Sequence, residues 1–243
     1  MTRRNLMRYI RLPQLIILST IQPVMFVLLF NYVFGSSIKI PGVNYTNYLL
    51  PGILIQTVLF GAMQTGIALS DDVSKGMINR FRSLPMSRGA VLAGRTLADM
   101  VRNLFVIILI ATVGYFIGYR FQGDLLHAFA ALGLALAFGF AFSWVSATIG
   151  LTVKNPETAQ VAGFIWVFPL AFISSIFVPI DGMTPALKTF ATYSPITATV
   201  NAVRAFSLAK PVGTAHLEAL EWIILILLIF TQLAVWRYKK LTS

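Results

Sequence analysis

Long apolar stretches separated by short charged ones set the rhythm of this chain. The windows free of Asp, Glu, Lys and Arg that are long enough to matter are 12–38, 40–70, 103–119, 125–153, 158–180 and 222–236. A helix crossing a bilayer needs about 20 mostly apolar residues, within a range of about 17–25. Four windows exceed that need, 103–119 meets the lower limit, and 222–236 falls short of it. The short one is extended by Trp222 and Trp236 as interfacial aromatics, with Glu221, Arg237, Lys239 and Lys240 at headgroup level. The pattern predicts six membrane helices over 15–34, 48–70, 102–119, 126–151, 159–179 and 219–237. The first is too long, and lacks a small-x-small site after it, to be a cleaved signal peptide.

Two segments between the spans carry a helical period of their own. In 71–103, Met77, Ile78, Phe81 and Leu84 share one face, and Lys75, Asn79 and Arg82 another. Pro85 ends that helix, and Ser87 caps a second one running into the third span. Such a basic amphipathic helix has two readings, a membrane-surface helix or a docking peg for a soluble partner. In 180–218, Ser194 and Pro195 read as cap and first helical residue. Ile196, Val200 and Val203 then form an apolar face, and Thr197, Asn201 and Arg204 a polar one. This predicts a helix lying at, or dipping into, the outer leaflet, either sealing the bundle or closing an exit path.

Composition agrees with the bilayer as solvent: 57% of residues are hydrophobic and 11% charged, against roughly a quarter charged in soluble domains. One membrane domain over 1–243 is the economical reading. The net charge of +11 raises the question of nucleic acid, and its distribution answers it. With six spans, Lys39, Arg120, Lys188, Arg204 and Lys210 fall on one side, and the other fourteen Lys and Arg fall on the side of the termini. Positive charge marks the cytoplasm, so both termini are expected there. The basic excess is topology and contact with anionic lipid, and no groove-reading module accompanies it.

Candidate chemistry is sparse. Cysteine is absent, and His127 and His216 are the only histidines, too few for a metal site. No predicted span holds an ionisable residue at mid-depth, which lowers ion-coupled carriers and intramembrane hydrolases as classes. Neutral polar residues do occur: Gln22, Asn31, Gln56, Gln64, Ser143, Ser146 and Gln232. They serve either as helix–helix hydrogen bonds or, in part, as the lining of a solute cavity. The candidate lining is Gln56, Phe60, Met63, Gln64, Phe168 and Phe172. Gly133, Ala137, Gly139 and Ala141 offer close-packing surfaces, and Asn44-Tyr45-Thr46 matches a glycosylation sequon. No phosphate-binding loop is present, so an ATP-driven process would need its ATPase on another chain.

Several motifs resemble one family. Arg11 and Pro13, Gln22-Pro23, Phe30 and Phe34-Gly35 open the chain; Leu50-Pro51-Gly52-Ile53 follow in the second span. The loop supplies Asp72, Gly76, Arg80-Phe81-Arg82, Ser83-Leu84-Pro85 and Ser87-Arg88. Lys154-Asn155-Pro156-Glu157, Pro179, Met183-Thr184-Pro185, Ser194-Pro195-Ile196-Thr197 and Arg204 complete the series. In this order and spacing they resemble the membrane subunit of an ABC exporter, of the type-2 permease family that includes daunorubicin-resistance-like drug exporters.

The resemblance implies an all-α membrane protein with six spans, an amphipathic interfacial helix over 1–12, a cytoplasmic coupling helix and external helices over 180–218. It implies that Asp71, Asp72, Gly76, Arg80, Phe81, Arg82, Leu84, Pro85 and Arg88 couple to an ABC ATPase, present in two copies. Arg3, Arg4, Arg8 and Arg11 would form a collar at the cytoplasmic interface. A second permease subunit, identical or not, would complete the transporter in the inner membrane. ATP and magnesium would be bound by the ATPase, leaving this chain no cofactor and no catalytic residue. The implied role is efflux of hydrophobic or amphipathic drugs or lipid-like compounds, and hence antibiotic resistance. The same machinery exporting a polysaccharide or lipid-linked glycan is the near alternative, which a long row of cavity aromatics would favour. An ATPase-independent channel or carrier is the alternative from another class.

Overall fold

The computed structural model describes residues 13–35, 37, 38, 40–76, 88–153 and 155–242. The predicted interfacial helix over 1–12, with Arg3, Arg4, Arg8 and Arg11, lies outside them, as does most of the predicted coupling helix: Arg80, Phe81, Arg82, Leu84 and Pro85.

The described residues form an all-α bundle: α1 Pro13–Phe34, α2 Tyr45–Ser74, α3 Arg88–Ile117, α4 Leu125–Gly150, α5 Pro156–Phe172, α6 Pro185–Thr192, α7 Pro195–Ser207 and α8 Ala215–Thr242. Helices α2, α3, α4 and α8 are long and apolar enough to cross a membrane. The chain is a multi-pass membrane protein. Caps fall where short polar side chains precede the apolar runs. Asn44, Asp124, Asn155 and Ser194 each accept a backbone N–H of the first turn of α2, α4, α5 and α7, satisfying donors that a helix start leaves free. The Asn44 sequon is thus a helix cap: Asn44 Oδ1 accepts the Thr46 N–H at 3.2 Å.

Helix α2 is the axis of the bundle, packing against α1, α3, α4, α5 and α7. It crosses α4 backbone to backbone, since a Cβ on Gly66 would meet the Ser146 carbonyl and one on Gly150 the Gly66 carbonyl. Small residues let membrane helices approach this closely. Of the predicted packing residues, Ala141 is fully buried and Gly139 faces Val58, while Gly133 has open space beside it.

Three expectations change. The fifth span was expected to reach 179, yet α5 ends at Phe172. Its 17 residues are about 26 Å long, short of a hydrocarbon core of about 30 Å. The chain continues as a buried non-helical segment, with Ser174, Ser175, Ile176 and Phe177 all enclosed. Helix α7, expected at the membrane surface, is inside the bundle: both its apolar residues and Thr197, Thr199 and Arg204 are buried among α2, α4 and α8. Finally, α3 starts at Arg88, and its apolar stretch Leu92–Ile117 contains Arg95, Asp99 and Arg102. Arg102 therefore belongs to the bundle and not to the loop, and ionisable residues do sit within it.

Buried backbone must find partners, and α2 and α7 supply them to the broken segment. The Tyr48 hydroxyl donates to the Ser175 carbonyl and the Tyr45 hydroxyl to that of Phe177, each at 3.1 Å. The Ser175 N–H donates to Thr197 Oγ1 at 3.2 Å. Arg204 then ties the pieces together. Its Nε donates to the Tyr48 carbonyl at 3.0 Å, its Nη2 to the Ser175 carbonyl at 2.7 Å, and its Nη1 to Asn201 at 3.0 Å. The guanidinium also stacks 3.6 Å from the centre of the Tyr48 ring. An arginine keeps its proton in proteins, so these are bonds to a charged group.

Candidate functional site

Where α1, α2, α3 and α5 meet, the bundle encloses a cleft with about 650 Å³ of atom-free space, counting its open mouth. Its polar lining is Gln22, Gln56, Thr57, Gln64, Arg102 and Asn103; Phe26, Phe60, Met63 and Phe164 are among the apolar groups. The placement follows from helical period. On α2, Phe60 stands four residues after Gln56, and Met63 and Gln64 three and four residues after Phe60, the spacing that puts side chains on one face. Gln56 is buried, and its Nε2 has no hydrogen-bond partner among the described residues. Gln64 is exposed at the opening.

Behind this face lies a buried polar cluster. Thr65 donates to Asp99 Oδ2 at 2.6 Å, and Arg102 Nη1 is 3.8 Å from Asp99 Oδ1. Arg102 Nη2 donates to the Gly61 carbonyl at 2.7 Å and to Asn103 Oδ1 at 3.2 Å. Asp99 does not line the cleft, whereas Arg102 does. The pair therefore presents its positive end to the opening. Its carboxylate is committed to protein partners, unlike the exposed acid an ion-coupled carrier needs.

A row of phenylalanines leads away from the cleft. Phe60 meets Phe164 and Phe168 edge-on, at 6.3 and 5.7 Å between ring centres. Phe168 stacks on Phe172 at 5.5 Å, Phe172 on Phe177 at 5.1 Å, and Phe177 on Phe30 at 4.4 Å. Phe30 continues to Phe34 at 5.3 Å. Of the six predicted lining residues, Gln56, Phe60, Met63 and Gln64 border the cleft, while Phe168 and Phe172 belong to this row and are partly exposed. Sequence reasoning missed Arg102, Asn103 and Phe177. The clue for the first two was the unbroken helical pattern from Arg88, which carries Arg102 well inside the helix.

At the far end of α2, Asp71 pairs with Lys75 and Asp72 with Arg95 of α3, both at 2.6 Å. Gly76 closes the helix with a φ of 66°, a left-handed conformation that favours glycine. Arg88 begins α3. A second cavity, between α3, α4 and α7, is mostly apolar, with Tyr115, Tyr119 and Ser207 as its hydroxyl groups. Among the described residues no three His, Cys, Asp or Glu side chains converge on one point.

Known proteins share this chain's pattern over most of its length. The family model for the ABC-2 type transporter matches residues 1–208. A daunorubicin-resistance ABC transporter permease of Streptomyces coeruleorubidus is 31% identical over 201 residues, which is 83% of this chain and 71% of that one. A probable doxorubicin-resistance ABC transporter permease of Mycobacterium tuberculosis is 25% identical over 223 residues, 91% of this chain and 80% of that one. A second doxorubicin-resistance permease of that organism is 28% identical over 114 residues, 47% and 39% of the two chains.

Proposed function

Because the chain belongs to the ABC-2 type transporter family, we propose that it is the membrane subunit of an ATP-driven exporter of hydrophobic or amphipathic compounds, drugs or lipid-like molecules. The observation that carries this reading is the amide-lined cleft continuing into a row of phenylalanines in ring-to-ring contact. Apolar walls with a few convergent polar groups are what a site for such solutes requires. The chain has no phosphate-binding loop, so a separate ABC ATPase hydrolyses ATP. Two permease subunits pair, and each docks one ATPase through the 71–88 loop and the interfacial 1–12 segment. Helix α1, and α5 together with the buried segment that follows it, complete six crossings of the inner membrane, with both termini in the cytoplasm.

The phenylalanine row favours one alternative, export of a polysaccharide or lipid-linked glycan, because sugar C–H faces stack on aromatic rings. Against it, the row is all phenylalanine, and a sugar's hydroxyls would find no hydrogen-bond partners on those rings. The lipid-like or drug-like solute is the better fit.

The test is purification in mild detergent followed by mass spectrometry of what accompanies the chain. An ATPase bearing a phosphate-binding loop is expected, and Arg80→Glu with Arg82→Glu should abolish its recovery while leaving membrane insertion intact. Vesicles holding this chain alone that accumulate solute uphill would overturn the proposal.

A further inference from the structure

The formal charge bordering the cleft is of one sign. Among the described residues that border it, the polar lining consists of amides, the Thr57 hydroxyl and one guanidinium, with no carboxylate. Gln56 Nε2 is a buried donor without a partner among the described residues, and an unmade buried hydrogen bond is costly. A ligand acceptor placed there would remove that cost. Arg102 adds a positive potential, since Asp99 stands behind it, engaged by Thr65. In a cleft walled by Phe26, Phe60 and Phe164, low polarizability of the surroundings strengthens that field relative to water. A protonated amine would find amide oxygens to accept from it, but only beside the like charge of Arg102 and without satisfying Gln56 Nε2. An acceptor would meet partners.

We propose that the cleft selects hydrophobic compounds bearing acceptor groups, either neutral carbonyls or anions, and discriminates against compounds whose one polar group is a protonated amine. Gln56 and Arg102 provide the recognition, Gln64 extends it at the mouth, and the phenylalanines hold the apolar body. As a statement about exported substrate, this rests on the exporter reading above.

Two probes sharing one ring system isolate the polar group: 1-pyrenebutyrate and 1-pyrenebutylamine. Binding is read by pyrene fluorescence, with the permease and any co-purifying partner in nanodiscs of zwitterionic lipid, after subtraction of empty discs. The butyrate is expected to bind at least about tenfold tighter than the amine. Gln56→Glu should shrink or invert that ratio. Gln64→Glu does the same from an exposed position, which keeps the test decisive if the buried variant fails to fold. Lys210→Gln, an equal change in net charge at an exposed site on the α7–α8 connection, should leave the ratio unchanged. Equal or tighter binding of the amine, binding of neither probe, or a Gln64→Glu effect no larger than that of Lys210→Gln would each overturn the proposal. Recovery of the ATPase reports on the exporter reading separately. A partner without the preference sinks only the selectivity, and the preference without a partner sinks only the exporter.

Discussion

Arg204→Met puts the buried polar tie to a quantitative test. Arg204 donates to carbonyls on two separate pieces of chain, Tyr48 of α2 and Ser175 of the broken segment, and stacks on the Tyr48 ring. Hydrogen bonds to a charged group contribute about 1.5–3 kcal/mol each, and a desolvated cation–π contact about 2 kcal/mol. Against these stands the cost of burying a guanidinium, several kcal/mol, which methionine does not incur. The net loss works out at about 3 kcal/mol. For a chain of this size that is a fall of about 6–12 °C in melting temperature, at about 2–4 °C per kcal/mol. The natural absence of cysteine permits a local readout as well. Ser174 is fully buried, so a Ser174→Cys thiol should react slowly with a maleimide in detergent. Adding Arg204→Met should speed labelling on the order of 100-fold, since each 1.4 kcal/mol or so is a factor of ten. Arg204→Lys should fall between, because one ammonium cannot make the forked pair of bonds and stack too. Labelling within threefold of the parent, with an unchanged melting temperature, would refute the claim that Arg204 holds this segment in place.

Other outcomes follow from the same geometry. Gly66→Leu forces side-chain atoms against the Ser146 backbone; overpacking costs about 1–3 kcal/mol, and melting should fall by about 2–12 °C, whereas Gly133→Ala, facing open space, should not lower it. Asp72→Arg breaks the pair with Arg95 and should weaken recovery of the ATPase. Adding Arg95→Asp should restore at least half, and failure of the swap to rescue would remove the pair from the coupling region. The Asp124 carboxyl is held below its usual range by the His127 backbone N–H and then by the His127 ring. A lowered folded-state value stabilises above the ordinary carboxylate range and is lost as pH falls through it. The melting difference between the natural chain and Asp124→Asn should therefore be present above the ordinary carboxylate range and vanish as pH falls through the lowered value; a constant difference throughout would exclude the charged cap.

The helices that cross the membrane were legible because length and apolarity suffice to define them. The windows 40–70 and 125–153 lie within a few residues of α2 and α4. The Ser194 cap and the start of α7 were legible because capping is local. The errors share one cause. A charge-free window marks where a helix is free of cost, not where it ends. Arg102 looked like a boundary because a lone arginine is expensive in a bundle, but Asp99, three residues earlier, and Gly61 on α2 satisfy it. The window 158–180 looked like one helix because nothing in it is charged. It breaks because Tyr45, Tyr48 and Arg204, distant in sequence, supply the hydrogen bonds that the helix would otherwise supply to itself. Similarly, α7 read as interfacial from its polar face, and that face is turned inward onto the broken segment.

These partnerships place three polar features on one helix. Along α2 stand the Tyr45 and Tyr48 hydroxyls that hold the broken segment, the Gln56 and Gln64 amides of the cleft, and the Asp72 carboxylate paired with α3. Thirty residues of helix extend about 45 Å, and α2 is clamped to α4 where Gly66 and Gly150 touch. A displacement imposed at the Asp72 end therefore cannot be absorbed within α2 by side-chain rearrangement alone. Either α2 and α4 move as one body, carrying the cleft and the tyrosines with them, or the Gly66 crossing acts as a pivot and the two ends move in opposite senses. The second case strains the Tyr48 and Arg204 bonds whenever the loop end is pulled. With an ATPase docked on the 71–88 loop, as proposed, the broken segment at the opposite end of α2 would be connected to the motor through one continuous helix.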